Sequence, residues 1–506
     1  MLNILLGPPG TGKTETSIRT VESFLEKGVP PDRIGYFAFT RRANIEAKER
    51  AMARFNLASD DLPYFRTLHS LAYSQLGISR SQIMTRKHYD EVSEWLKIGS
   101  FFARESDYGP FKDIGYGDKF LELINMARIT QSPLREIYNS SRVRYKADWR
   151  MVEYVQRGLN HYKETLHLLD YTDMLIQFIR RELAPRLEVL IIDEAQDLSS
   201  VQWKMVELLA EKAQHTFVAG DDDQAIYRWA GADIDKFLGL TGEITVLNQS
   251  YRIPAKHHRL SQRLIHRVLH RHEKEFRPKD IEGEVLWHRH SEQINLEDGK
   301  WLLLSRTTRG ANQLEEEVRQ RGHLYRYDAS RSTDSKVLQA VILWEKLRSG
   351  KKLPVEDVKK IYSQMLLHKQ VTYGYKSLSG INEEGFYSIQ DLQQDHGLLT
   401  TASWDTALGK ISDRDKRYLS ACIRKGESLT TNPRITISTI HRAKGAQAEK
   451  VVLLTDTSGK SNSQWRFSEE DKEDEIRVFY VGLTRAKQEL HLVHPMYSAG
   501  FTLPQG

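Results

Sequence analysis

A single cysteine, Cys422, stands among 506 residues. The chain can therefore close no internal disulfide and build no cysteine-based zinc site, a pattern that belongs to a reducing compartment. No stretch approaches the roughly 18 consecutive apolar residues of a membrane span, which excludes an integral helical membrane protein. The opening MLNILLGPPG lacks a basic n-region and a small-residue cleavage site, so the expectation is a cytoplasmic, not a secreted, protein. Internal repeats and low-complexity linkers are absent as well. Charge of either sign is in small excess only: Lys and Arg total 74 against 68 Asp and Glu, a net +6. Such a balance permits a nucleic-acid groove without requiring one, because what matters is how charge clusters on a face.

What is present reads as a folded, multidomain chain. Hydrophobic content of 40% with 28% charged residues excludes disorder, and the length suggests about three or four domains. Short apolar runs recur at Ile4-Leu5-Leu6, Ile34 to Phe39, Val189 to Ile192, Phe217-Val218-Ala219, Leu302-Leu303-Leu304, Val451 to Leu454 and Leu490 to Val493. Continuous apolar character marks strands covered on both faces. After the first run Ile18, Val21, Phe24 and Leu25 share one helical face, and Gly28 can cap its end. The fold class is α/β with parallel sheets.

Two regions, 78–165 and 334–433, lack such runs and read as helical insertions. The acidic run Glu469 to Glu475 reads as a solvated loop. Arg259, Arg263, Arg267 and Arg271 are spaced to share one helix face beside His266 and His270. A solvated basic face is the simpler reading there, and a duplex or partner contact the alternative. No carboxylate or cysteine completes a metal site with those histidines.

Residues 7–14 read GPPGTGKT, Gly7-Pro8-Pro9-Gly10-Thr11-Gly12-Lys13-Thr14, between an apolar strand and an amphipathic helix. Glycines let backbone N–H groups close around a β-phosphate, and the helix N-terminus adds a favourable dipole. Lys13 would reach the β- and γ-phosphates, and the Thr14 hydroxyl would ligate Mg²⁺. The run Val189 to Ile192 ends in Asp193-Glu194-Ala195-Gln196-Asp197. Asp193 fits the Mg²⁺ ligand and Glu194 the base that polarises an attacking water. An acidic helix start is the bland alternative, but behind a P-loop the pair implies nucleoside-triphosphate hydrolysis.

Further motifs follow in order: AFTRRA at 38–43, TLHSLA at 67–72, LDYTDML at 169–175, GDDDQAIYRWAGA at 220–232, QSYRIP at 249–254, TISTIHRAKG at 436–445 and YVGLTRAK at 480–487. With GPPGTGKT and IIDEAQD at 191–197, this set resembles the UvrD/Rep-type superfamily 1 DNA helicases. The resemblance implies two RecA-like motor domains with ATP in the cleft between them. It places the first motor at 1–77 and 166–247, interrupted by 78–165, and the second at 248–333 and 434–506, interrupted by 334–433. By the same resemblance Gln224 senses the γ-phosphate and orients water. Arg252 and Arg485 are the arginines that stabilise the transferring phosphoryl group. Tyr251 stacks on the nucleotide base, with Gly445 and Gln447 beside it. Single-stranded DNA would meet Phe39, Thr40 and Arg41, then His69 and Ser70, and from the second motor Thr439 and His441. Tyr227 and Trp229, two apart beyond Gln224, would serve as stacking platforms. Their alternative reading is core, which is usual for these residue types.

The sequence also departs from the family pattern. The chain begins six residues before Gly7, where members carry an adenine-reading glutamine further upstream; Glu15 stands where an arginine is common, and Gln447 where a glutamate is usual. These changes thin the base-recognition half of the pocket and imply weak discrimination among purine triphosphates. Ala230 replaces an arginine common after the loop tryptophan, removing one link between strand and nucleotide. The resemblance implies an ATP- and Mg²⁺-dependent helicase moving 3′ to 5′ on single-stranded DNA and at duplex junctions, in replication or repair. A different class is a DNA-sensing NTPase subunit that regulates a partner nuclease. Lys13, Glu194, Gln224, Arg252 and Arg485 together disfavour a third option, a degenerate motor used for binding alone.

Overall fold

The continuous apolar runs fold as strands, each within one residue of the sequence reading or extended beyond it. A computed structural model describes residues 2–98, 101, 116–141, 148–328, 330–331, 335–378, 381–457, 468–495 and 500–504. Strands β1 (Leu2–Leu6), β2 (Ile34–Ala38), β3 (Phe65–Arg66), β4 (Leu187–Asp193), β5 (Ala213–Gly220) and β6 (Glu243–Val246) form a sheet in the order β3-β2-β4-β5-β1-β6. Every pairing in it is parallel. Register decides what this sheet can do. Leu6 pairs with Gly220 and Ala38 with Asp193, so the carboxyl ends of β1, β5, β4 and β2 reach one rim. That rim is where open α/β sheets bind ligands. It carries the P-loop, the acidic pair, the Asp221–Gln224 segment and Phe39.

Two cores sandwich the sheet. Ile18, Val21 and Phe24 of the helix Lys13–Glu26 pack with Tyr36 and Ile191 on one side. On the other side Leu68, Leu71, Met174 and Phe178 pack with Phe37, Leu190 and Ile192. Burying residues of this size stabilises by roughly 1.5–3 kcal/mol each, which is why neither face alternates in polarity. Gly28 ends the first helix with φ +87°, as its position suggested.

Strands β7 (Glu284–His288), β14 (Ala448–Leu454) and β15 (Ala486–Val493) pair in parallel within the same compact unit. That unit comprises Met1–His288, Arg306–Thr308 and Thr439–Gly506. The region 78–165 is helical where described, with Arg86–Leu96, Tyr116–Thr130, Leu134–Ser140 and Trp149–Thr165 around a core of Val92, Ile124, Val155 and Leu159. Its root is ionic: Arg128 and Lys163 pair with both Asp170 and Asp173 of the LDYTDML segment.

The second unit, Arg289–Ser305 with Arg309–Ser438, holds β8 (Trp301–Ser305), β9 (Tyr325–Tyr327) and β10 (Ser330–Arg331). Here β13 (Ile435–Thr439) pairs in parallel with β9. Where described, the region 334–433 holds the helices Ser335–Arg348, Val355–Ser363, Ile389–Asp395, Trp404–Ala407 and Asp413–Arg424, and it also contains a short antiparallel pair, β11 (Leu353–Pro354) with β12 (Phe386–Tyr387). Two-residue strands leave no periodicity to read.

Two sequence expectations require correction. Glu469 to Glu475 is not a loop: it forms the first turns of the helix Glu469–Leu483, capped by the Ser468 side chain. Acidic residues suit a helix N-terminus, and Val478, Phe479, Val481 and Leu483 bury the turns that follow. Glu475 is itself buried and pairs with Arg306 at 2.9 Å. The arginine stripe is likewise not one helix face, because the helix Ala255–Ile265 carries Arg259 and Arg263 but ends before Arg267 and Arg271. Arg259 pairs with Glu282, Arg267 donates to the Thr502 carbonyl, and Arg271 turns inward to Asp223.

Candidate nucleotide site and strand-contact surface

The P-loop is shaped by its own backbone and by the segment that follows β6. Gly10 and Gly12 adopt φ +76° and +86°, which L side chains avoid. A Cβ at Gly10 would come within 2.5 Å of the Arg252 Cβ. Ser250 Oγ donates to the Pro9 carbonyl at 2.9 Å, and the Tyr251 N–H donates to the Gly10 carbonyl at 2.9 Å. Residues 250–252 therefore lie directly against the loop. Lys13 Nζ donates to the Gly7 carbonyl at 2.8 Å and stands 3.9 Å from Glu194 Oε1.

The acidic pair is fixed by the end of β4. Asp193 is buried; its Oδ2 accepts from the Thr14 hydroxyl at 3.2 Å and the Tyr36 phenol at 2.6 Å, and its Oδ1 accepts from the Glu194 N–H at 2.9 Å. Burial, and then the Glu194 charge, raise the Asp193 carboxyl above the usual carboxylate range. Burial opposes ionisation of Glu194 too, but Lys13 and Lys444 hold it below its ordinary value. The two adjacent carboxyls are thus pushed in opposite directions. Glu194 sits at φ 55°, a left-handed position, and its Oε2 accepts from Gln196 Nε2 at 2.6 Å. A hydroxyl and a carboxylate touching beneath a P-loop lysine are a hard-oxygen donor set that fits Mg²⁺.

Gln224 is held at both ends of its amide: Nε2 donates to Asp221 Oδ2 at 2.7 Å, and Oε1 accepts from Arg485 Nη2 at 2.8 Å. Arg485 is fully buried, and burial followed by the Arg252 charge weakens its protonated form. Arg252 is depressed by burial as well, and its Nε donates to Gln447 Oε1 at 2.7 Å. Two guanidiniums that repel each other beside a P-loop favour an anion that lowers that repulsion. Tyr251 is 72% exposed, so its ring face is open. Gly445 is exposed at φ +83°.

Behind Gln224 lies an ion lattice that sequence reasoning missed. Lys274 Nζ contacts the carboxylates of Asp221 at 3.0 Å, Asp222, and Asp223 at 3.2 Å, all of them buried. Arg271 grips Asp223 through Nε at 2.8 Å and Nη2 at 2.7 Å, and Arg477 Nε donates to the Asp222 carbonyl at 3.1 Å. Three acids in a row were a signal that cations must be near, but nothing in the sequence named which. Lys444 was also missed, although it sits in a quoted motif. It pairs with Asp197, donates to the Gln224 carbonyl at 2.7 Å and lies 5.3 Å from the Tyr227 ring centroid. Burial outweighs that cation and pushes Asp197 up to about 7.

The aromatic residues cluster as well. Tyr227 lies 5.6 Å from Phe39 and 6.5 Å from Trp229 between ring centroids, and its hydroxyl donates to the His441 carbonyl at 2.9 Å. Trp229 is exposed while Tyr227 and Phe39 are half-buried, so the group is not a closed core. Thr40 and Ser70 are exposed at the starts of the helices Arg41–Phe55 and Leu68–Leu76. His69 lies 6.2 Å from the Tyr171 ring, and burial pushes it down to about 4. Thr439 and His441 are buried, so they do not offer the accessible surface of the other candidates. The Arg41 side chain lies outside the described residues. Glu15 is taken up by Arg19 and Arg54 on the surface.

The model of the UvrD/REP helicase N-terminal domain matches residues 2–245, and that of the UvrD-like helicase C-terminal domain matches 417–495. The chain is 22% identical to the ATP-dependent DNA helicase PcrA of Bacillus subtilis, over 97% of this chain and 80% of that protein. It is 23% identical to the putative ATP-dependent DNA helicase YjcD of the same organism, over 99% and 78%. Identity to the ATP-dependent DNA helicase Rep of Buchnera aphidicola is 22%, over 53% of this chain and 41% of that protein. The first family match takes in Lys13, Glu194 and Gln224 and the second takes in Arg485; the chain belongs to the UvrD/Rep/PcrA-type superfamily 1 helicases.

Proposed function

We propose that this member is an ATP-dependent DNA helicase that translocates 3′ to 5′ along single-stranded DNA and separates strands at junctions. The observation that carries the reading is the convergence of Lys13, Glu194, Gln224, Arg252 and Arg485 around one P-loop, with Gln224 held by Arg485. Lys13 and the loop N–H groups bind the triphosphate. Thr14 and Asp193 hold Mg²⁺, which neutralises phosphate charge when bound. Glu194, kept ionised, polarises water, and Gln224 orients it. Arg252 and Arg485 stabilise charge that builds on the transferring phosphoryl group. The bond from Lys444 to the Gln224 carbonyl, with its place near the Tyr227 ring, supplies a route between phosphate and strand. Two motor domains, each interrupted by a helical insertion, would move as the cleft closes.

The exposed Tyr251 is the main base contact in this reading, so purine triphosphates should be hydrolysed within about tenfold of one another. No helix among the described residues is long and apolar enough to cross a membrane; the proposed action on DNA is cytoplasmic. Replication or repair factors are the expected partners. The deciding experiment is the ATPase rate with and without single-stranded DNA, for wild type and Lys13→Ala. DNA should stimulate the wild type, and the variant should be inactive in both conditions. An unstimulated wild type would overturn the coupling. Displacement from 5′-tailed but not 3′-tailed duplexes would overturn the polarity.

A further inference from the structure

We propose that Tyr36 is a positioning residue for the metal-binding carboxylate: its phenol, sunk in β2, fixes Asp193 so that a divalent cation meets a pre-set oxygen. The inference rests on the reading of Thr14 and Asp193 as the Mg²⁺-holding pair. Tyr36 lies in a strand buried at all five positions, Ile34 to Ala38. It has 0% exposure, and its ring stacks on Phe65 at 5.3 Å and 16°. Packing alone would be served equally by phenylalanine. The hydroxyl is the added element, and a buried hydroxyl needs a partner. Register supplies one: Tyr36 is paired across to Ile191 and Ala38 to Asp193, and the phenol donates to Asp193 Oδ2 at 2.6 Å.

Donors at Asp193 come from three separate elements. Thr14 opens the P-loop helix, Glu194 follows β4 in the chain, and Tyr36 stands on the neighbouring strand. An ionised carboxylate offers about four lone-pair sites; with Thr14 and Tyr36 on Oδ2 and the Glu194 N–H on Oδ1, these donors set its plane and the lone pairs left open. Thr14 would have to serve the cation as well as Asp193. The Tyr36 hydroxyl, which also meets the Thr14 side chain, donates to the carboxylate from outside the set of residues read as metal ligands. Partners of this kind, one bond removed from a metal, typically change metal affinity or activity by about 10–100-fold when lost.

Tyr36→Phe removes one oxygen and keeps the stacked ring. The test measures Mn²⁺ uptake by the full chain with ADP, read as free Mn²⁺ by electron paramagnetic resonance, and ADP affinity in EDTA. Tyr36→Phe should weaken Mn²⁺ uptake about tenfold, leave ADP affinity in EDTA unchanged, and raise the Mg²⁺ concentration for half-maximal hydrolysis by a similar factor. Unchanged Mn²⁺ uptake, with or without a lower melting temperature, would overturn the inference and leave Tyr36 as core. Wild type that takes up no Mn²⁺ with ADP would overturn the reading of the site itself, and the inference with it.

Discussion

Around Gln224 polar groups are tied to one another inside the protein, whereas a few residues on Trp229 keeps ring surface toward solvent. The first arrangement suits a step in which charge develops at a fixed point. Donors already aimed there cost no reorganisation at the moment of reaction. The second suits a ligand that slides, since every base has a π-face and stacking tolerates sequence. Lys444 touches both, bonded to the Gln224 carbonyl and set near the Tyr227 ring. One side is locked and the other left open, with the Lys444 cation at the seam.

The lock can be broken at Lys274. Its ammonium serves three buried carboxylates, and Asp223 and Asp222 otherwise rely on Arg271 and the His272 N–H. Removing one member of a buried ionic group leaves uncompensated charge and typically costs about 3–5 kcal/mol. Lys274→Met should therefore lower the urea midpoint strongly, and adding Asp222→Asn should recover part of the loss. A midpoint unchanged in Lys274→Met would mean that the lattice contributes no stability. The open side predicts a smaller effect of another kind. Trp229→Ala should weaken single-stranded DNA binding by about 1–3 kcal/mol and leave ATPase without DNA unchanged. A loss of DNA-free hydrolysis would erase the distinction between the two clusters.

The same contrast explains what was legible in the sequence. Strands covered on both faces leave continuous apolar runs, so β1, β2, β4, β5, β8, β14 and β15 could be read directly. Strand β7, with EVLWH, and β13, with ITIST, mix polar and apolar residues and gave no such run. Backbone-shaped sites also show themselves, because GPPGTGKT needs its glycines at fixed spacing. Ion pairs do not. Lys274 reaches its carboxylates from some fifty positions away, and no local pattern encodes such a meeting. Arg271 looked like part of a surface stripe only because its helix was assumed to continue. Tyr36 carried no signal, since an aromatic in an apolar strand reads as core whether or not its hydroxyl has work.

His69 gives the finest comparison, because it belongs to the proposed strand-contact group yet is held by burial. A ring pushed down to about 4 takes up its proton only well below the pH at which an ordinary histidine, near about 6.5, would do so. Between pH 5 and 8 it is therefore neutral. A neutral group can hydrogen-bond a phosphate but displaces no counterion. Each cationic contact to a single strand contributes about 0.7 to the slope of log K against log salt. His69→Gln should accordingly lower affinity by about 0.5–1.5 kcal/mol while the salt slope stays the same at pH 7 and at pH 5.5. Were the ring charged in the complex, the wild-type slope would steepen as pH falls from 7 to 5.5 and the variant's would not. That outcome would make His69 an electrostatic contact to the strand.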